Sequence, residues 1–191
     1  MPEKEIFDDT FRILYDRYAG RGIRYANSIL HDINDSEDAV QDVFCRLLGP
    51  IAQDKVDSGR GGFGALFFSS LRNLCVDLIR KRRSRPRGLP LHEVGERAAR
   101  PDAARSGGRE ALAEMEKRVK AAFEALRPNH AEALRLRVKG ELNYDEIAAA
   151  LDCSRAQVRT WIYRARRSLS EIFLREGLDV PKTVRERKSR R

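Results

Sequence analysis

Apolar residues recur at helical spacing through most of this chain, while alternating, strand-like patterns and internal prolines are scarce. In "DINDSEDAVQDVFCRLL", residues 32–48, Val40, Phe44 and Leu47 form one stripe, and Glu37, Asp38, Gln41 and Asp42 fall on the opposite, acidic side. Asp35, with Asp38 three residues on, is the expected cap of that helix. In "SSLRNLCVDLIRKRRSR", residues 69–85, Leu71, Leu74, Cys75 and Leu78 share a face opposite Asn73, Asp77 and Arg80. The basic side continues through Lys81, Arg82 and Arg83. Just upstream, "SGRGGFGALFF" reads as a glycine-rich loop followed by Phe63, Phe67 and Phe68.

The clearest break is "RSRPRGLPLHEVGERAARPDAARSGG", residues 83–108, where Gly, Pro, Arg and Ala follow no period. The pattern therefore predicts an all-α fold of two small helical domains joined by a flexible linker. Their bounds are residues 1–83, a linker over 84–108, a second domain over 109–175 and a disordered basic tail over 176–191. Fully extended, some 25 linker residues reach about 80 Å, enough for the domains to hold well-separated sites.

The second domain carries the sharpest local signal. In "LNYDEIAAAL", Asn143 caps a helix whose third residue, Glu146, reaches back to it. After a short turn at Asp152-Cys153, "SRAQ" repeats the device with Ser154 and Gln157. Val158, Ile162, Ala165 and Leu169 then fill a narrow apolar arc. Two capped helices across a tight turn define a helix-turn-helix. With the arc turned inward, Thr160, Tyr163, Arg164 and Arg167 point outward, and Arg155 and Arg159 flank the first turn. A basic helix of this kind can be mere solvated surface. The paired caps, the turn and the aromatics among arginines favour a recognition helix for a DNA major groove.

Charge sharpens this picture. The 191 residues carry a net +9, unevenly placed. Residues 1–57 hold 7 Lys/Arg against 12 Asp/Glu, residues 72–87 hold 7 against 1, and residues 154–191 hold 12 against 4. One acidic part and two separate basic patches point to at least two binding tasks and a polyanionic partner. Loop aromatics beside the basic 69–85 helix suit single-stranded nucleic acid, whose bases stack on rings while phosphates meet Arg and Lys. Phe67 and Phe68 read as core; Phe63, beside the glycines, suits either role. The acidic face of residues 37–42 repels DNA, so it is either solvated surface or the dock for a protein partner.

Several classes are excluded or disfavoured. Cys45, Cys75 and Cys153 are odd in number and far apart, which makes no disulfide framework, and each reads as a small buried apolar residue. No CxxC or clustered histidine indicates a metal, and no cofactor is expected. His31, His92 and His130 lie in unrelated segments, and no nucleophile motif accompanies the acids, so an enzyme is not expected. No apolar run approaches the roughly 20 residues of a membrane span, and the acidic start lacks a signal peptide's regions, so a cytoplasmic protein without membrane insertion is expected.

Together these stretches resemble a bacterial RNA polymerase sigma factor of the two-domain extracytoplasmic-function group. "DSEDAVQDVFCRLL" looks like the family's clamp-binding helix, and "FGALFFSSLRNLCVDLIRKRR" like the segment that melts and reads the minus-ten element. "LRPNHAEALRLRVKGELNYDEIAAALDCSRAQVRTWIYRARRSL" looks like region 4, which reads the minus-thirty-five element. The resemblance spans roughly residues 7–83 and 109–173, and its specificity lies in the order of the three motifs.

The resemblance implies that Asp38, Gln41 and Asp42 meet the clamp of core RNA polymerase. It implies that Asn73, Arg80 and Arg83 lie along the minus-ten strand, with the Gly61–Gly62–Phe63 loop near a flipped base. Arg155, Arg159, Thr160 and Arg164 would face the minus-thirty-five groove, joined by Ser154, Gln157, Tyr163 and Arg167 on the same exposed surface. Promoter DNA, core polymerase and an anti-sigma factor are the implied partners of a chain that is monomeric when free. Leu66 stands where the family usually has Trp, Asp152 where it has the turn glycine, and Ala156 and Trp161 where it commonly has Gly and Arg. Asp tolerates a left-handed turn better than most residues, and Trp161, at the border of the apolar arc, is expected to pack. The rival reading is a helix-turn-helix regulator that binds a symmetric operator as a dimer without being a polymerase subunit.

Overall fold

The computed structural model describes residues 2–52, 61–84 and 106–177, and among these every regular element is a helix. The first, α1 (Pro2–Leu30), turns Tyr18, Ala19, Tyr25, Ala26 and Leu30 to one side, and all are buried. It stops because His31 adopts a left-handed conformation, φ 56°, while its N–H donates to Asn27 O at 3.0 Å. The Asp32 carboxylate then accepts from the backbone N–H of Asp35 at 2.9 Å and starts α2 (Ile33–Ala52). The cap is thus Asp32, not Asp35, because the helix begins earlier than the apolar stripe does. The stripe itself is as expected, with Val40, Phe44 and Leu47 buried together with Val43.

The third helix, α3 (Gly62–Ser84), also begins a full turn and more before the basic segment that announced it. Gly61, at φ 93°, supplies the turn into it, and a Cβ there would lie 2.7 Å from the methyl carbons of both Ala65 and Ala149. This early start carries Phe63 into the interior. Its ring stacks on Phe67 at 5.8 Å and lies 5.1 Å from Tyr18. Phe67, fully buried, sits among Phe44, Phe63, Phe68 and Tyr18 and centres an aromatic core between α1, α2 and α3. Leu71, Leu74 and Cys75 extend that core. By length and composition α3 would pass as a membrane span. Its apolar side instead faces α1 and α2, and it ends in Lys81, Arg82 and Arg83.

After the linker come α4 (Ser106–Glu124), α5 (Pro128–Val138), α6 (Tyr144–Ala150) and α7 (Arg155–Arg175). Ser84 and residues 106–108 are helical, so the predicted linker bounds shrink at both ends; residues 85–105 and the tail from 178 lie outside the described residues. Leu134, Leu136, Leu142, Ile147, Val158, Ile162 and Leu169 interlock as the core of this second unit. Both predicted capping boxes are present. Asn143 accepts from the N–H groups of Asp145 and Glu146, and Ser154 accepts from that of Gln157, each with the reciprocal side-chain bond. Replacing Ser154 by Ala should cost about 1 kcal/mol, read as a lower midpoint in urea with an unchanged slope.

Between the two units, α3 packs on α6 and α1 touches α5, so the buried side chains form one continuous cluster, a contact about which the sequence pattern is silent.

Candidate nucleic-acid interface

The turn between α6 and α7 holds the feature on which the second unit's surface depends. Asp152 is left-handed, φ 49°, at the position where a glycine would be the easy choice. With α6 and α7 fixed across it, Val158, Ile162, Ala165 and Leu169 are all buried. Arg155, Arg159, Thr160, Tyr163, Arg164 and Arg167 are consequently exposed, as are the cap residues Ser154 and Gln157. Trp161 packs at the core margin.

The exposed groups are not equally available. The Thr160 hydroxyl donates to Ala156 O at 3.0 Å within its own helix. Arg167 pairs with Glu171 at 3.0 Å, and Arg155 lies 3.5 Å from Asp145 of α6. These are surface contacts worth little, which an incoming phosphate can replace. If Arg159 meets a phosphate, Arg159→Ala should weaken duplex binding for all sequences alike and reduce the salt slope by about 1. Filter or anisotropy titrations across a salt series measure both.

On α3, Asn73, Arg80 and Arg83 are exposed along one side, Arg80 standing 3.9 Å from Asp77. Arg82, in the same basic run, pairs with Asp35 and donates to Leu30 O at 3.4 Å, so it buttresses the α1–α2 corner. Gly62 is half-buried at φ 58°. Phe63, only 7% exposed, lies in the aromatic core, where no base can reach its ring. Leu66 is the exposed apolar residue of that turn.

The acidic side of α2 is as the pattern implies: Glu37, Asp38, Gln41 and Asp42 all face solvent. Of the cysteines, Cys75 is buried, and burial together with the nearby Glu132 charge pushes its thiol up to about 12. It remains a protonated apolar filler. Cys45 is exposed, contrary to the reading of all three as buried, because it falls beside the stripe of α2 and not in it.

Tyr25, Arg72 and Glu132 went unnoticed in the sequence. Tyr25 donates its hydroxyl hydrogen bond to Glu132, and both residues are buried. Burial, followed by the Glu132 charge, raises the Tyr25 phenol well above its ordinary value. Arg72 and Arg135 each approach the same carboxylate at 3.7 Å. The one visible signal was an acid inside the apolar run "AEALRL".

A helical chain with a capped helix-turn-helix, a separate basic helix and an exposed acidic helix face has the surfaces of a DNA-reading protein that works with a protein partner. Residues 14–85 match the family model "Sigma-70 region 2" and residues 116–169 match "Sigma-70, region 4", together most of the chain. The chain belongs to the sigma-70 family, and region 2 followed by region 4 is the architecture of its extracytoplasmic-function group. Among solved structures it is similar to CnrH in the complex with the cytosolic domain of CnrY, at 25% identity and TM-score 0.60, covering 87% of this chain and 88% of that one. It is also similar in fold to the sigma factor RpoE bound to the anti-sigma factor NepR from Bartonella quintana, at 22% identity and TM-score 0.51, covering 80% and 89%. No curated protein sequence matches the chain.

Proposed function

We propose that this sigma factor, which binds core RNA polymerase and directs it to promoters, does so through three surfaces. The α2 face with Asp38, Gln41 and Asp42 docks on a basic part of the polymerase clamp. Asn73, Arg80 and Arg83 of α3 track the minus-ten strand beside Gly62. The exposed side of α7, from Ser154 and Arg155 through Gln157, Arg159, Thr160, Tyr163, Arg164 and Arg167, enters the minus-thirty-five groove. The observation that carries this reading is the fixed order of an exposed acidic helix, a basic helix and a capped recognition helix within the two family matches.

The mechanism is one of binding, with no bond made or broken by this chain. Two dissimilar readers in fixed order define a direction on the duplex, which a symmetric dimer does not. The C-terminal unit anchors on paired DNA, and the N-terminal unit captures unpaired bases, lowering the free energy of the opened state. Each flipped base costs a few kcal/mol to unstack, so a fitted site contributes to both opening and selectivity. Phe63 is not among the base-stacking groups; Leu66, exposed on the same turn, is the apolar contact we assign there. The protein acts in the cytoplasm, where the polymerase is. We infer an anti-sigma partner as well, by analogy with RpoE, whose structure holds the anti-sigma factor NepR.

Run-off transcription with purified core polymerase and a library of genomic fragments tests the assignment. Initiation at defined start sites that depends on the added chain supports it. Tight binding of the chain alone, as a dimer, to palindromic duplexes without any effect on initiation would instead support a helix-turn-helix regulator.

A further inference from the structure

The charged end of α3 outruns the core that holds the rest of the helix. Cys75 is its last buried residue, Leu78 and Ile79 are half-buried against the core, and residues 80–84 are exposed. At roughly 1.5 Å per residue the helix continues about 13 Å past Cys75. Within the exposed stretch Arg80 stands near Asp77, and the Ser84 hydroxyl donates to Arg80 O, both contacts inside α3 itself. Among the described residues, Arg82 is the one of this stretch whose hydrogen bonds and ion pairs reach another helix. Its guanidinium pairs with Asp35 and donates to Leu30 O at 3.4 Å.

One guanidinium there joins three helix ends. Leu30 is the last residue of α1, where carbonyls lack intrahelical donors and the helix dipole favours a cation. Asp35 lies in the first turn of α2, where the dipole favours an acid. Arg82 comes from the last turn of α3. The place of the contact on α2 matters as much as its chemistry. Asp35, Asp38 and Asp42 follow one another at spacings of three and four, so they share a side of the helix. Arg82 consequently grips the N-terminal end of the side that carries the carboxylates assigned to docking. Arg80 and Arg83, its neighbours, are exposed toward the strand assigned to them.

We propose that Arg82 and Asp35 are positioning residues: their pair fixes the exposed end of α3 to the docking helix, so that polymerase bound at Asp38 and Asp42 sets where Arg80 and Arg83 meet the unpaired strand. Arg82 itself, though inside the basic run, does not contact DNA. The inference rests on the sigma-factor reading, which supplies both the docking face and the strand. Without the pair, the last turns of α3 tilt beyond Ile79, and a reading end displaced from its polymerase captures opened bases less well. The pair is half-exposed and adds little to stability, so its loss is read in promoter opening and not in folding.

Promoter opening by the polymerase complex tests it, measured as permanganate reactivity of unpaired thymines on a promoter taken from the run-off experiment. Arg82→Gln and Asp35→Asn should each lower opening about tenfold, an effect of the size found between coupled neighbours. The double variant should be no worse than either single one, because both remove the same link. Arg82→Gln should co-elute with core polymerase as the parent does, and its melting temperature should stay within about 2 °C. Binding of the polymerase complex to a single-stranded minus-ten oligonucleotide across a salt series separates positioning from contact. A free oligonucleotide follows the helix end wherever it lies. Arg83→Gln should therefore reduce the salt slope by about 0.7, and Arg82→Gln should leave it unchanged.

Losses that multiply in the double variant, or a salt slope that falls for Arg82→Gln as it does for Arg83→Gln, would make Arg82 a DNA contact and overturn the proposal. Opening at the parent's level in both single variants overturns it as well. So does a defect that appears only near a lowered melting temperature and vanishes on cooling, since the pair would then be structural alone. In each of these cases the parent still initiates, and the sigma-factor reading stands. If the parent with core polymerase opens no promoter, that reading fails and the proposal falls with it.

Discussion

Reversing the charge of Asp38 and Asp42 together, to Arg, abolishes association with core polymerase while both halves of the protein remain folded. The two carboxylates are exposed on one face of α2, a turn apart, on the side opposite Val40, Val43, Phe44 and Leu47. Substitution there touches no buried group, and exposed sites of this kind change stability by no more than about 0.5 kcal/mol. At a basic docking surface, however, two attractive charges become two repulsive ones. Like charges set against each other across an interface cost several kcal/mol, so affinity falls by at least about a hundredfold. Co-elution with core polymerase on a sizing column, beside a circular dichroism melt of the free variant, reads both quantities. Undiminished co-elution would remove α2 as the docking helix. Loss of binding with a lowered melting temperature would count as unfolding instead.

Phe67→Ala carries the largest expected loss of stability. Its ring is fully buried, with Phe44 at 4.9 Å, Phe68 at 5.2 Å, Phe63 at 5.8 Å and Tyr18 at 6.0 Å, so every helix of the N-terminal unit leans on it. Emptying such a site removes the transfer free energy of the ring and leaves a cavity that three packed helices cannot close. The cost is about 3–5 kcal/mol, a large share of a typical total of about 5–15. The melting temperature should fall by roughly 10 °C. Because α2 and α3 are both held by this ring, polymerase and minus-ten binding should fail together near the new midpoint and recover on cooling. A shift below 3 °C would mean that the aromatic cluster is not the centre of the core.

The helix-turn-helix of α6 and α7 was legible nearly residue by residue. Its signals are local: a capping box spans four residues, a recognition helix's apolar arc repeats every three or four, and Asp152 needs only its own backbone to turn left-handed. The stripe and acidic side of α2 were legible for the same reason. The outcome for Phe63 went differently. Beside three glycines it looked like a loop aromatic, and what buries it is the extension of α3 back to Gly62, enforced by rings from α1 and α2 that lie tens of residues away. The cap at Asp32 was missed on similar grounds, since the helix is longer than the stripe that reveals it.

Sequence alone was enough for the all-helical class, for α2, α6, α7 and the basic part of α3, and for the two cationic surfaces and the acidic one, because helical periodicity, capping and net charge are properties of neighbours along the chain. It could not reveal that the two halves meet. Tyr25, Arg72 and Glu132 lie up to 107 positions apart, and each by itself is an ordinary helical residue. A pairing of that kind depends on how two finished surfaces fit, with charge against charge and a glycine against a ring. Only the folded backbone brings those surfaces together, and so only the tertiary structure shows this molecule closed on itself.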